Sequence, residues 1–310
     1  MRSGTDCGVR GSESLSQFLL LALLFVALPD AAHGCCKAQF IEKFKLKQTA
    51  LAINSSSLTV DEARRTHVLT AMSFVPSSLF EDPKALRLEF GVRNGHMINF
   101  MASRPLPLGG GMESARDQAM STSRRRAATG ADGSSSSLPR YIVPPSAASK
   151  PWDGFDSFQG LPKSTANAAR LGWGAHKYSV KGQLPSVPPH VRLHVGWFNE
   201  TLPPFLDSEG GAGPVAFAHL DADIYASTIS VLDALAARCR LRVGTVLSFD
   251  EIFGPPRIQE EELRALQEAS ASHGLKWRFI TYLNHPRTLF GRAAVRITEP
   301  PPCLKPRDGR

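Results

Sequence analysis

The sequence predicts an α/β protein, a mostly parallel sheet with helices on both faces. Short apolar runs alternate with longer stretches of helical spacing across residues 59–297. Six acidic residues, Glu89, Asp156, Asp221, Asp223, Asp250 and Glu251, fall at or just past the ends of those runs. The chain is 310 residues long and 42% hydrophobic, enough for a substantial buried core.

Residues 59–72, "TVDEARRTHVLTAM", open with a Thr59/Glu62 capping box and continue with helical spacing. The run "LRLEFG" (86–91) reads as a first strand, and "HMINFMA" (96–102) as the start of a helix. "WDGFDSF" (152–158) ends a second strand, "VRLHVGWF" (191–198) is a third and "VAFAHLD" (215–221) a fourth. "STISVLDALAARC" (227–239) reads as a helix capped by Ser227 or Thr228. "VGTVLSFDE" (243–251) is a fifth strand, and a charged helix over 259–274 closes at Gly274. "WRFITY" and "LFGRAAVRI" supply two closing strands.

Residues 1–34 read as a signal peptide, with Arg2 and Arg10 in a polar lead, the run "FLLLALLFVAL" (18–28), and small residues up to Gly34. The run is too short to span a bilayer comfortably, so a membrane anchor is the alternative rather than the expectation. One domain is expected over 35–102 and 151–299, interrupted by a disordered Ser/Gly/Pro/Arg-rich insertion over 103–150 and followed by a flexible tail over 300–310. Entry into the secretory route would permit disulfides among Cys35, Cys36, Cys239 and Cys303, with the pairing open and Cys239 alternatively a buried thiol. Asn54 and Asn199 sit in N-glycosylation triplets. The net charge is +8, but seven Lys/Arg against three Asp/Glu in the insertion account for half of it, so no nucleic-acid partner is expected.

Ligands in open α/β sheets bind outside the carboxyl ends of the strands, which makes the six acids one candidate site. Gly91 and Gly95 in "EFGVRNG" let backbone approach a ligand ahead of a helix. Asp156 is placed to accept hydrogen bonds from ribose hydroxyls. Asp221 and Asp223, two apart in "LDAD", would sit roughly 6.6 Å from each other if extended. They would repel by about 2.5 kcal/mol at an effective dielectric of ~20. A hard cation such as Mg²⁺ held with Asp250 and Glu251 would relieve this. In the competing reading, Asp223 caps the next helix and Asp250 binds backbone amides. His219 shares the strand, as a general base or as a hydrogen-bonded core histidine.

These blocks, "EFGVRNGHMINFMA", "GFDSFQGLP", "VRLHVGWFNETLPPFL", "AHLDADIYASTISVLDAL" and "GTVLSFDEIFG", resemble the class I S-adenosylmethionine-dependent methyltransferases, and among them the macrocin O-methyltransferase-like family. The resemblance implies a Rossmann-like seven-stranded, mostly parallel sheet. It implies S-adenosylmethionine at Glu89, Gly91, Gly95, Asp156, Ser157 and Phe158, a divalent metal at Asp221, Asp250 and Glu251, and Asp223 as the base. The acceptor would be a sugar or other small hydroxylated molecule. Met97 stands where members often carry serine, and Glu251 where a second aspartate is common. Two other readings stand beside this one: a metal-dependent glycosyltransferase using "DAD", and a non-catalytic cofactor-binding relative. A homo-oligomer is left open.

Overall fold

The computed structural model describes residues 30–104, 150–163 and 165–304. The expected leader up to residue 29, nearly all of the expected insertion and the tail beyond 304 lie outside the described residues. Helices over Asp30–Lys43 and Leu46–Thr49 lead into strand β1 (Leu51–Ala52) and helices Val60–Met72 and Ser77–Glu81. Then follow β2 (Leu86–Phe90), helix His96–Ala102, β3 (Trp152–Asp156), helix Ala166–Arg170, β4 (Val191–Val195), helix Phe198–Asp207 and β5 (Val215–Leu220). Helix Tyr225–Ala237, β6 (Val246–Phe253), helices Pro256–Gln259 and Glu262–His273, β7 (Trp277–Leu283) and β8 (Gly291–Ile297) complete the domain.

The strands form one eight-stranded sheet in the order β1-β7-β8-β6-β5-β2-β3-β4. Only β8 is antiparallel to its neighbours, β6 and β7; the remaining pairs are parallel. This is the Rossmann-like, mostly parallel sheet expected of the class I methyltransferase fold, extended by one strand. The expected count of seven is corrected by β1, whose two residues pair with Thr281 and Tyr282. So short a strand has no side-chain period to read.

The chain steps outward from β2 through β3 to β4, then returns to the other side of β2 as β5. That reversal leaves a crevice at the carboxyl ends of β2 and β5, where crossover helices depart on opposite faces. Both faces of the central strands are covered: β2, β5 and β6 are buried at every position, as strands between two helix layers must be. Phe40, Phe90, Phe155, Leu206, Leu235 and Leu266 pack on one face, and Met72, Ile98, Met101, Trp152, Phe217 and Val246 on the other. Each buried side chain of this kind contributes about 1.5–3 kcal/mol, so these layers rather than the polar groups of the crevice hold the domain together.

The Thr59/Glu62 capping box is present, with Glu62 N–H donating to Thr59 Oγ1 at 3.2 Å and Thr59 N–H to Glu62 Oε2 at 2.9 Å. Gly274 ends its helix in the left-handed region at φ +64°. The expected cap at Ser227 or Thr228 is corrected: the helix begins at Tyr225, and the N-cap is Ile224, which offers no side-chain acceptor. The Tyr225 N–H goes instead to the Glu261 carboxylate at 2.7 Å, so a remote side chain does what a local hydroxyl was expected to do. Asp223 does not cap that helix either. The helix over Asp30–Lys43 belongs to the core, with Phe40 stacked on Phe253 at a 4.8 Å centroid distance and Lys37 Nζ donating to the carbonyls of His285 and Thr288. Cys239 and Cys303 form a disulfide that ties the chain beyond β8 to the end of helix Tyr225–Ala237.

Candidate functional site

A cavity of about 490 Å³ opens over the carboxyl ends of β2, β3, β5 and β6. Gly91, Asp156, Ser157, Asp221, Asp223, Asp250 and Glu251 all line it, so seven of the eleven site residues expected from sequence meet in one place. Glu89, Gly95, Phe158 and His219 are not part of its wall.

Gly91 holds the junction of β2 and β5. Its φ is +92°, and a Cβ there would stand 2.0 Å from the Asp221 carbonyl oxygen. The residue is therefore required by the neighbouring strand as well as by the cavity. Gly95, at φ +77°, caps helix His96–Ala102 from the left-handed region and faces Pro185. Its role is conformational, and it does not line the cavity. Phe158 takes φ +57° and buries its ring in the apolar layer on the face of helix His96–Ala102. Asp156 ends β3 with Oδ2 accepting the Arg93 N–H at 2.6 Å and Oδ1 the Phe158 N–H at 2.7 Å. Burial raises its pKa against the opposing pull of those amides.

Arg64 answers the repulsion between the "LDAD" carboxylates. It projects from helix Val60–Met72, and its guanidinium is hydrogen-bonded to Asp221 through Nη2 and ion-paired to Asp250 through Nε at 2.8 Å. Arg292, on β8, clamps Asp250 from the other side with Nε at 2.8 Å and Nη2 at 3.0 Å. Burial alone would raise the pKa of Asp250; Arg292, Arg64 and His219 outweigh it and hold this carboxyl well below the usual range. Asp250 therefore meets charged side chains, not the backbone amides of the competing reading.

The other acids are charge-poor. Glu251 is 7% exposed, its Oε2 has no hydrogen-bond partner, and burial with Asp250 and Asp223 pushes its pKa well up. Asp223 is left-handed at φ +59° and 7% exposed, and burial followed by Asp221 and Glu262 raises its pKa well above the carboxylate range. Glu262 accepts the N–H groups of Ala222 at 3.3 Å and Glu251 at 3.0 Å, so one buried side chain fixes two walls of the cavity.

His219 lies beneath this layer. It is fully buried, with Nδ1 3.5 Å from Glu89 Oε1 and Nε2 3.8 Å from Asp250 Oδ1. Burial works to lower its pKa, but Asp250 and Glu89 prevail and hold it at about 9. Of its two readings, base or core histidine, the buried position behind Asp250 matches the core histidine, and it does not line the cavity. Glu89, 1% exposed, lies beside it with Oε1 3.5 Å from Nδ1 and is not part of the cavity wall, while burial raises its pKa. Parallel pairing of Glu89 with His219 across β2 and β5 places the two side by side.

Asp221, Asp250 and Glu251 each offer an oxygen within 4.8 Å of the others, a set able to hold a metal ion. Arg64, Arg292 and Glu262 were missed in the sequence. Arg64 sits in "DEARRTH", indistinguishable there from a solvated helix face. The unbalanced "LDAD" charge was the one signal that a cation had to come from somewhere. Arg93, Lys163, Lys177, Tyr178 and Trp197 complete the cavity's rim.

No protein-family model and no curated protein matches the chain. Among solved structures it is similar to the calicheamicin methyltransferase CalS11, at 18% identity over 96% of this chain and 98% of that one, with a TM-score of 0.45. The O-methyltransferase NovP shares 16% identity over 76% and 80% of the two chains, with a TM-score of 0.47. The Podospora anserina methyltransferase PaMTH1 shares 12% over 94% and 100%, with a TM-score of 0.32. The strand order defines this chain as a doubly wound α/β domain with a cavity at the carboxyl ends of its central strands.

Proposed function

We propose that this chain is an S-adenosylmethionine-dependent O-methyltransferase that acts, with a divalent cation, on a hydroxyl of a sugar or another small hydroxylated molecule. The observation that carries the reading is the single cavity joining Asp156 at the end of β3 to the carboxylates of Asp221, just past β5, and of Asp250 and Glu251, in the second half of β6.

The residues fit the cofactor. The cavity is in the size range of small-molecule sites. Each Asp156 oxygen accepts one backbone N–H and keeps lone-pair capacity for a ribose hydroxyl. They also fit a cation: the buried, unpartnered Glu251 Oε2 and the raised pKa values of Asp223 and Glu251 mark a site with more carboxylate than guanidinium can neutralise.

S-adenosylmethionine, when bound, supplies an electrophilic methyl, and a divalent cation lowers the pKa of a hydroxyl beside it. The chain's own residues do the rest. Asp156 and the Gly91 turn fix the donor's position, which in methyl transfer counts for more than covalent help. Asp223, facing the same cavity, is the side chain placed to take the hydroxyl proton once a cation neutralises the neighbouring carboxylates. Trp197, Phe198 and Tyr178 supply apolar surface to the cavity wall.

The Cys239–Cys303 disulfide supports an oxidising compartment, in keeping with the expected secretory leader. No helix among the described residues is long and apolar enough to cross a membrane. The test is methyl transfer from labelled S-adenosylmethionine to a panel of sugars and small alcohols, with Mg²⁺ and with a chelator. Transfer that depends on Mg²⁺ and is lost in Asp223→Asn sustains the proposal; nucleotide-sugar binding in place of S-adenosylmethionine binding would favour the glycosyltransferase reading.

A further inference from the structure

We infer that Arg64 is an exchangeable internal counter-ion: its guanidinium holds Asp221 and Asp250 together until a divalent cation takes its place, so that the two compete for the same carboxylate oxygens. This rests on the reading of Asp221, Asp250 and Glu251 as a cation site.

The competition follows from the occupancy of Asp250. A carboxylate offers about four lone-pair directions. Arg292 takes one on each oxygen, and Arg64 Nε stands in ion-pair contact 2.8 Å from Oδ1, in the space a cation would need, without making a hydrogen bond there. Asp221 Oδ2 is likewise engaged by Arg64 Nη2. A hard cation needs oxygens at about 2.0–2.6 Å and cannot share that space with a guanidinium nitrogen in contact with the same atoms.

Of the two guanidiniums, Arg64 is the one built to leave. Arg292 is 5% exposed, anchored on the central part of the sheet, and grips Asp250 with both nitrogens. Arg64 stands on helix Val60–Met72 with 22% of its side chain exposed, lines the open cavity, and grips each carboxylate with one nitrogen only. Glu251 marks the direction of exchange. It is 93% buried by the exposure above, faces the cavity, and its Oε2 has no partner while Arg64 is in place. A cation reaching Asp221, Asp250 and Glu251 together satisfies the oxygen that Arg64 leaves unmatched. A guanidinium's five donors are rigid and planar, whereas a spherical ion adapts to three converging oxygens.

The experiment is Mn²⁺ titration of the full chain, followed by calorimetry, for wild type, Arg64→Met, Arg64→Lys and Glu251→Gln. Arg64→Met should bind Mn²⁺ at least tenfold more tightly than wild type, with Arg64→Lys between them and Glu251→Gln weakened. Equal or weaker binding by both Arg64 variants, with Glu251→Gln still weakened, overturns the competition while leaving the cation site standing. No Mn²⁺ binding by any of the four chains overturns both. Nitrogen NMR of wild type gives a readout that needs no folded variant. The Arg64 Nη2–H signal, held by the hydrogen bond to Asp221, should shift and exchange faster when Mg²⁺ saturates the protein; an unchanged signal at saturation also overturns the proposal.

Discussion

Arg292 grips Asp250 through two hydrogen bonds, Nε to Oδ1 at 2.8 Å and Nη2 to Oδ2 at 3.0 Å, with both residues buried. The two lie on adjacent antiparallel strands, so the pair fixes where the second half of β6 presents its carboxylate. Removing one partner of a buried pair leaves a charge without compensation, which costs about 3–5 kcal/mol. Arg292→Met should lower the unfolding free energy measured in urea by that order, and the double variant Arg292→Met/Asp250→Asn should recover part of it. A single variant as stable as wild type would mean that Arg64 alone satisfies Asp250.

Two buried groups set opposite limits on stability with pH. His67 is fully buried, and burial, with Arg292 nearby, lowers its pKa from 6.5 to about 3. The unfolded chain takes up this proton below about 6.5 and the folded one does not, so stability is lost as pH falls from 6.5 towards 3. Glu262 is the reverse case: burial raises it from 4.5 to about 8. The folded state keeps this proton where the unfolded state has lost it, so its contribution fades as pH rises from 4.5 through about 8. Thermal melts across pH 4–9 should show the acid limb flattened in His67→Gln and the alkaline limb flattened in Glu262→Gln.

Gly91→Ala should be destabilising out of proportion to its size. The added methyl group would meet the Asp221 carbonyl at 2.0 Å, and φ is +92°. A strained backbone position of this kind costs about 1–3 kcal/mol before any displacement of β5 is counted. Urea unfolding measures it, and a loss below about 1 kcal/mol would show that β2 and β5 can separate at their ends.

The Cys239–Cys303 bond closes a sequence separation of 64 residues. In the chain-entropy account a loop of that size is worth about 4 kcal/mol. Cys303→Ser should melt well below wild type and be insensitive to reductant, while wild type under reductant should melt with the variant.

The sheet was legible because its strands are continuous apolar runs ending in acids, and the crevice followed from where those ends fall. Asp156, Asp221 and Asp250 could be placed at the site for that reason alone. Arg64 could not, since it reaches Asp221 across a separation of 157 residues and nothing local distinguishes it from its neighbour Arg65. His219 stood between base and core histidine because it shares a strand with the acids, and the alternation of strand side chains does not say how deep a position lies. Ser227 and Thr228 matched a capping preference that Glu261 overrode from another helix.

The account turns on S-adenosylmethionine occupying the cavity beside Asp156. Isothermal titration of S-adenosylmethionine into the wild-type chain and into Asp156→Ala tests it most directly. The expected result is saturable one-to-one binding by wild type, weakened at least tenfold in the variant, the loss of about 1.4 kcal/mol that a ribose hydrogen bond to a carboxylate represents. No binding by wild type at millimolar cofactor, or equal binding by both chains, would contradict it.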